Sequence, residues 1–168
     1  LMTCDDRLGE DASAMFNMLT GYSQPARWHK MRVAPNSLRE WVLEMIAREA
    51  DHAKAGRPAR LVAKLNALVD PVVIRALYQA SAAGVPIDLI VRGVCCLRPG
   101  LPGVSETIRV RSLVGRYLEH SRILYCANGG EAEVYLTSAD WMSRNFDRRV
   151  EIAFPVTDEP LKRKIVDE

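Results

Sequence analysis

Within Arg116-Tyr117-Leu118-Glu119-His120-Ser121-Arg122 an imidazole stands two residues from a permanent cation, and a second polar segment, Ser138-Ala139-Asp140-Trp141-Met142-Ser143-Arg144-Asn145, follows a glycine turn at Asn128-Gly129-Gly130. A neutral imidazole can attack phosphorus or pass a proton while fixed cations hold the non-bridging oxygens. These residue types therefore point to chemistry at phosphorus. Leu118 to Cys126 reads as a buried strand, on which a period of two puts His120, Arg122, Leu124 and Cys126 on one face. Glu133 to Thr137 reads as the returning strand of a hairpin, which brings Ser138 and Asp140 to the sheet end near His120.

Other side chains could reach the same place. The apolar run Leu89-Ile90-Val91 delivers Arg92 to a strand end, and Lys64 and Asn66 stand at the end of another strand. Arg122 could grip phosphate through its planar fork or form an ion pair with Glu119, Asp140 or Glu151. Ser138 and Asn145 could bond phosphoryl oxygens or close the turn after the hairpin. Glu151 could accept the second imidazole N–H and so fix the histidine tautomer. Lys64 could face substrate or extend to solvent. His29 and His52 are assigned to surface or packing, and Trp141 to the core.

The elements that must position these groups follow from local pattern. Asp11 to Leu19 has helical spacing, and Gly21 to Pro25 stops it. Trp28 to Val33 alternates as a short strand. Ser37 with Glu40 three residues later has the form of a capping box ahead of a long helix that Gly56 ends. Arg60 to Leu65 is a strand, Asp70-Pro71 opens a helix that runs to Ala83, and Ile87 to Arg92 is a continuous apolar strand. Strand, helix, strand at this length implies a right-handed parallel βαβ unit, with the carboxyl ends near Asn66 and Arg92 on one rim. Gly93 to Glu106 is a long loop, Thr107 to Val110 a further strand, and Ser112 to Tyr117 a short helical connection. Asn145 to Arg149 reads as a loop, Val150 to Pro155 as a strand and Glu159 to Asp167 as a helix. The fold class expected is α/β, a mixed β-sheet flanked by helices on both faces.

With 168 residues, 48% of them hydrophobic, the chain can form one domain with a real core. The formal charge of +2 is too small to call for a nucleic-acid or membrane partner, so any basic function is local. From Arg92 to Arg149 there are nine arginines, no lysine and six acids, although arginine outnumbers lysine 18 to 5 over the whole chain. Cys4, Cys95, Cys96 and Cys126 show no CxxC spacing, which makes a reduced, cytoplasmic protein the default. There is no apolar run near 18 residues and no basic-then-apolar leader. The three histidines are scattered without ligand-spaced partners, so no metal site is expected in these residues.

The spacing His120-Ser121-Arg122 followed by Ser138 to Asn145 resembles one half of a phospholipase D-type site, in which His-x-Lys precedes a Gly-Ser-x-Asn element. Here Arg122 replaces the lysine and Ala127 stands where that motif has an aspartate. Leu89 to Gly100, Tyr117 to His120 and Ser138 to Met142 resemble the C-terminal region of bacterial polyphosphate kinases, a likeness that extends from about Leu1 to Glu168 and is densest from Lys64 to Glu151. The resemblance implies a phospholipase D-like domain and reversible transfer of the ATP terminal phosphate to polyphosphate, with Mg²⁺, through a phosphohistidine. It implies His120 as catalytic proton donor or acceptor and Arg92 as nucleotide-phosphate ligand. The phosphorylated histidine and the metal-linked arginines would precede Leu1, so residues 1–168 would be mainly one C-terminal domain of a longer chain, with 1–35 the end of a preceding domain or a linker. Polyphosphate, ATP or ADP and the remaining domains of the parent chain are the implied partners, with homo-oligomerisation and membrane association through the parent left open. Two alternatives stand beside this reading: a phospholipase D-like phosphodiesterase or nuclease completed by dimerisation, and a non-catalytic phosphate-binding module.

Overall fold

Leu61–Leu65 (β2) and Ile87–Val91 (β3) alternate buried and half-buried residues, and Pro71–Ala82 (α3) returns the chain between them. The two strands pair in parallel, so the expected βαβ unit is formed. Before it come Asp6–Leu19 (α1), Arg32–Ala34 (β1) and Leu38–Lys54 (α2). After it come Ile108–Arg111 (β4), Ile123–Cys126 (β5), Glu133–Thr137 (β6), Ser143–Arg148 (α4), Glu151–Pro155 (β7) and Glu159–Asp167 (α5). This computed structural model describes residues 3–23, 25 and 27–167. Leu1, Met2, Gln24, Ala26 and Glu168 lie outside the described residues, which includes the expected start at Leu1 and part of the expected helix stop from Gly21 to Pro25.

All seven strands join one mixed sheet in the order β1-β7-β6-β5-β2-β3-β4. β4 runs parallel to β3, whereas β5, β6, β7 and β1 are antiparallel to their neighbours. Leu61, Ala63, Leu65, Ile87, Leu89 and Val91 point to one face and are almost wholly buried under α2 and α3, with Val42, Met45, Ile46 and Leu77 in the same core. Each such aliphatic side chain contributes about 1.5–3 kcal/mol on burial. On the opposite face, the cross-strand pair Tyr125 and Val134 lines a hollow with Lys162 and Val166 of α5, so helices occupy both faces as expected.

Asp70 caps α3 as its sequence predicts, with Oδ1 accepting the Val72 and Val73 amides at 3.0 and 3.1 Å. The capping box at Ser37 does not form. The tight turn in which Ser37 N–H donates to Val33 O leaves Ser37 at ψ −2°, and its buried hydroxyl has no partner. Glu49, an acid on α2, is fully buried. Its Oε2 accepts the Arg60 amide at 3.0 Å and its Oε1 the Asn128 amide at 2.8 Å, which pins the start of β2 to the hairpin turn. Gly129 in that turn has φ +67° and lies against His52, where a Cβ would come within 3.1 Å of the imidazole.

Four further expectations need correction. The strand before β2 is Arg32–Ala34 rather than Trp28 to Val33. β5 starts at Ile123, not Leu118, because the pairing with β2 ends at Lys64 opposite Ile123 and residues 118–122 run past the sheet. Residues 112–117 form no helix: Leu113, Val114 and Tyr117 are exposed, so no buried stripe supports one. Conversely, α4 replaces the loop expected over Asn145 to Arg149, and its Phe146 and Asn145 are each 1% exposed. Six residues are too few to show a helical period.

Candidate active site

Beyond Leu65 the chain continues as an extended segment flanked on both sides. Leu68 bridges in parallel to Cys95 and to Trp141. Leu68 N–H donates to Val94 O at 2.9 Å, Val69 N–H donates to Trp141 O at 2.8 Å, and Trp141 N–H donates to Ala67 O at 3.1 Å. The loop after Arg92 and the loop after Ser138 are thereby stitched to the segment carrying Asn66. Gly93 N–H donates to Asn66 O at 2.8 Å, and a Cβ on Gly93 would sit 3.0 Å from that oxygen, a contact tight enough to favour glycine there. Arg92 N–H donates to Leu65 O at 3.1 Å, which fixes the backbone of that arginine at the same rim. Among the described residues, ion pairs engage Arg39, Arg48, Arg60, Arg111, Arg122 and Arg149 but not Arg92.

His120 is exposed and lies in the irregular strap before β5. Its Nδ1 is 3.4 Å from the side-chain amide of Asn66, and its Nε2 is 3.3 Å from Arg122 Nη2. Arg122 Nη1 also donates to the His120 carbonyl at 3.1 Å. The other edge of the guanidinium is taken by Asp140: Nε donates to Oδ1 at 2.9 Å and Nη2 to Oδ2 at 3.0 Å. Asp140 Oδ1 further accepts the Asn66 and Ala67 amides at 2.7 and 3.3 Å. Burial pushes the Asp140 carboxyl up, but the Arg122 and Asn66 hydrogen bonds outweigh it and hold the group below the usual carboxylate range. Of the two roles open to Arg122, the ion pair is thus formed, and with Asp140.

A second polar cluster lies beside this one. Glu151, 7% exposed, accepts from the Ser138 hydroxyl through Oε2 and from Asn145 Nδ2 at 2.7 Å through Oε1. The Ile152 amide donates to Ser138 Oγ at 3.0 Å. Lys64 Nζ donates to Glu119 at 2.8 Å and to Ser121 Oγ at 2.7 Å, tying the strap to β2; the Lys64 hydrogen bond holds the Glu119 carboxyl low. No group of three or more His, Cys, Asp or Glu among the described residues could hold a metal ion.

Residues 31–167 match the family model described as polyphosphate kinase C-terminal domain 2. The chain belongs to that family. It is 58% identical over 165 residues to the polyphosphate kinase of Synechocystis sp., covering 98% of this chain and 23% of that protein. It is 55% identical to the polyphosphate kinase of Pseudomonas aeruginosa over 168 residues, and spans 24% of its length. The crystal structure of polyphosphate kinase from Porphyromonas gingivalis superposes with a TM-score of 0.95 at 46% identity, over 99% of this chain and 26% of that one. Nuc from Salmonella typhimurium, a phospholipase D family member, shares the fold at a TM-score of 0.54 and 17% identity, over 82% of this chain and 89% of that one.

In this polyphosphate kinase C-terminal domain the expected site residues divide into groups. His120, Arg122 and Asn66 meet, Lys64 braces the strap that carries His120, and Arg92 joins the rim through its backbone. Ser138, Asn145 and Glu151 form their own cluster, and both Glu151 oxygens are used within it. The side chain beside His120 Nδ1 is therefore Asn66, not Glu151. Asp140, placed from sequence at the sheet end near His120 and as one ion-pair option for Arg122, proves to be the acceptor on which Arg122, Asn66 and Ala67 converge. Its position two residues after Ser138, in the same polar segment, was the available signal. Trp141 is core, at 2% exposure.

Proposed function

We propose that this domain supplies one half of the active site of a phosphotransferase that moves the terminal phosphate of ATP reversibly onto inorganic polyphosphate. His120 serves as proton donor or acceptor and Arg92 as the clamp on the nucleotide phosphates. The observation that carries the reading is an exposed imidazole flanked by Asn66 and Arg122, on a rim where Arg92 stands outside every ion pair among the described residues. Phosphoryl transfer asks of a protein mainly positioning and cationic stabilisation of the equatorial oxygens, which a two-pronged guanidinium provides. The relatives are named polyphosphate kinase and are about four times as long. This reading assigns the phosphorylated histidine to chain outside these residues.

ATP or ADP and polyphosphate are the substrates of this reading, and the other domains of the longer chain its partners. Mg²⁺ belongs to the expected chemistry, but the described residues bring no ligand cluster together for it, and no step is assigned to it here. Arg122 adds positive charge to the rim, although its outer fork is engaged with Asp140. Lys64 and Asn66 face the substrate side, while Ser138, Asn145 and Glu151 support the rim from behind. Residues 1–35 were expected to end a preceding domain or form a linker, but Arg32–Ala34 pairs with β7 in this sheet, so only the residues before β1 are assigned that way, and the activity to the cytoplasm. No helix among the described residues is long and apolar enough to cross a membrane. The phosphodiesterase alternative is weakened because Arg122, in the place of its lysine, is paired with Asp140, and Ala127 is buried.

In the full-length protein carrying this domain, His120→Ala is expected to lower polyphosphate synthesis from ATP by a factor of about 10²–10⁴ with the fold retained. His120→Gln should be nearly as damaging, since an amide cannot carry the proton. Arg92→Lys keeps charge but loses the fork, and should raise KM for ATP. Near-normal turnover in His120→Ala would remove the residue from the mechanism.

A further inference from the structure

Arg122 has only N–H donors, so the ring nitrogen it faces, His120 Nε2, must accept. A neutral imidazole carries one proton, which then sits on Nδ1. As placed, Asn66 turns its amide nitrogen toward Nδ1, which would leave both ring nitrogens as acceptors and the ring an anion. A half-turn of the Asn66 amide exchanges nitrogen for oxygen at nearly the same position and supplies the acceptor that Nδ1–H needs. His120 is thereby held as the Nδ1–H tautomer, with the Nε2 lone pair on the side of the cation.

What holds the cation is Asp140. Its Oδ2 takes Nη2, the same nitrogen that faces His120 Nε2, while its Oδ1 takes Arg122 Nε and the Asn66 amide. One carboxylate, 12% exposed at its side chain, therefore orients both neighbours of the imidazole: Arg122 through the guanidinium and Asn66 through the backbone. We propose that Asp140 is a positioning residue for phosphoryl transfer, setting the tautomer and direction of His120 through Arg122 and Asn66, so that Nε2 exchanges a proton with the substrate oxygen once that oxygen displaces the 3.3 Å contact with Arg122 Nη2. The inference rests on His120 acting as the proton carrier.

Asp140→Asn is suited to testing it because the substituted side chain keeps one oxygen for the Asn66 and Ala67 amides and replaces the Oδ2 acceptor by a donor against Nη2. In the full-length enzyme, kcat is expected to fall at least about tenfold, short of the about 10²–10⁴ expected for losing the imidazole, with KM for ATP changed less than about twofold and the unfolding temperature nearly unchanged. In an Arg122→Gln background the same substitution should change kcat by less than about twofold, because residues acting through one another are non-additive. Equal losses in both backgrounds would make Asp140 a support of the loop alone and overturn the proposal. So would an unchanged kcat in Asp140→Asn when His120→Ala is inactive. Normal turnover in His120→Ala would instead reject the functional reading beneath it. A ¹⁵N measurement on the unsubstituted enzyme, independent of any variant's folding, should show His120 as the Nδ1–H tautomer, and the Nε2–H form would also overturn the proposal.

Discussion

Asp140 is held in its ionised form by Arg122 and two backbone amides, against the cost of its burial. Its carboxyl is depressed in the folded state, so as pH falls the unfolded chain takes up this proton first. The stabilisation is complete above the ordinary aspartate range near about 3.9 and disappears as pH drops through the lower folded value. Urea unfolding of the domain at pH 6 and at pH 3 should therefore show a larger loss for the unsubstituted protein than for Asp140→Asn, and equal losses would mean that Asp140 is not linked to folding. The chemistry at this scale was legible only in part. His120 and Arg122 declare themselves by adjacency, but Asn66 reaches the imidazole from 54 positions away, and no local pattern carries such a contact. Glu151 and Asp140 were both eligible acids near the hairpin end, and packing alone selects which one takes the guanidinium.

Among the elements, α3 depends on a cap that also works sideways. Besides its two amide bonds, Asp70 accepts from Arg39 at 3.1 Å and from the Ser143 hydroxyl at 2.9 Å, so one buried carboxylate joins α2, α3 and α4. Asp70→Ala should destabilise the domain by about 2–4 kcal/mol, and Asp70→Asn by less because it retains a capping oxygen. Urea midpoints in the order Asp, Asn, Ala check this, and an Ala variant as stable as the parent would refute it. The Asp70-Pro71 start was readable because an N-cap and a proline at the first helical position are local chemistry. Ser37 looked equivalent in sequence and failed because a turn set by Val33 fixed its backbone first. The start of β5 was misread for a related reason: a strand ends where its partner ends, and that lies outside its own residues.

For the molecule as a whole, the proposed function needs one histidine to carry a phosphoryl group and a second to exchange the proton, and this rim brings one. The 168-residue chain alone, given ATP, Mg²⁺ and a polyphosphate primer, should leave ATP unconsumed. Polyphosphate formed by this chain by itself would overturn the half-site reading. The α/β class and the parallel βαβ unit could both be argued from sequence, since short apolar runs alternating with a capped helix admit few topologies.

Among the described residues the sheet ends at two strands, β4 and β1. At one, β4 is four residues long and carries the exposed Arg109 and Arg111; at the other, β1 has three residues and runs into Pro35, which has no N–H to continue a ladder. An unpaired strand is a template on which another copy can add itself, and short length, charge and proline each discourage that. Two copies meeting at β4 would have to bring like-charged guanidinium groups together. Arg109 and Arg111, two of the nine arginines between Arg92 and Arg149, thus have a physical use at a strand edge that does not involve phosphate.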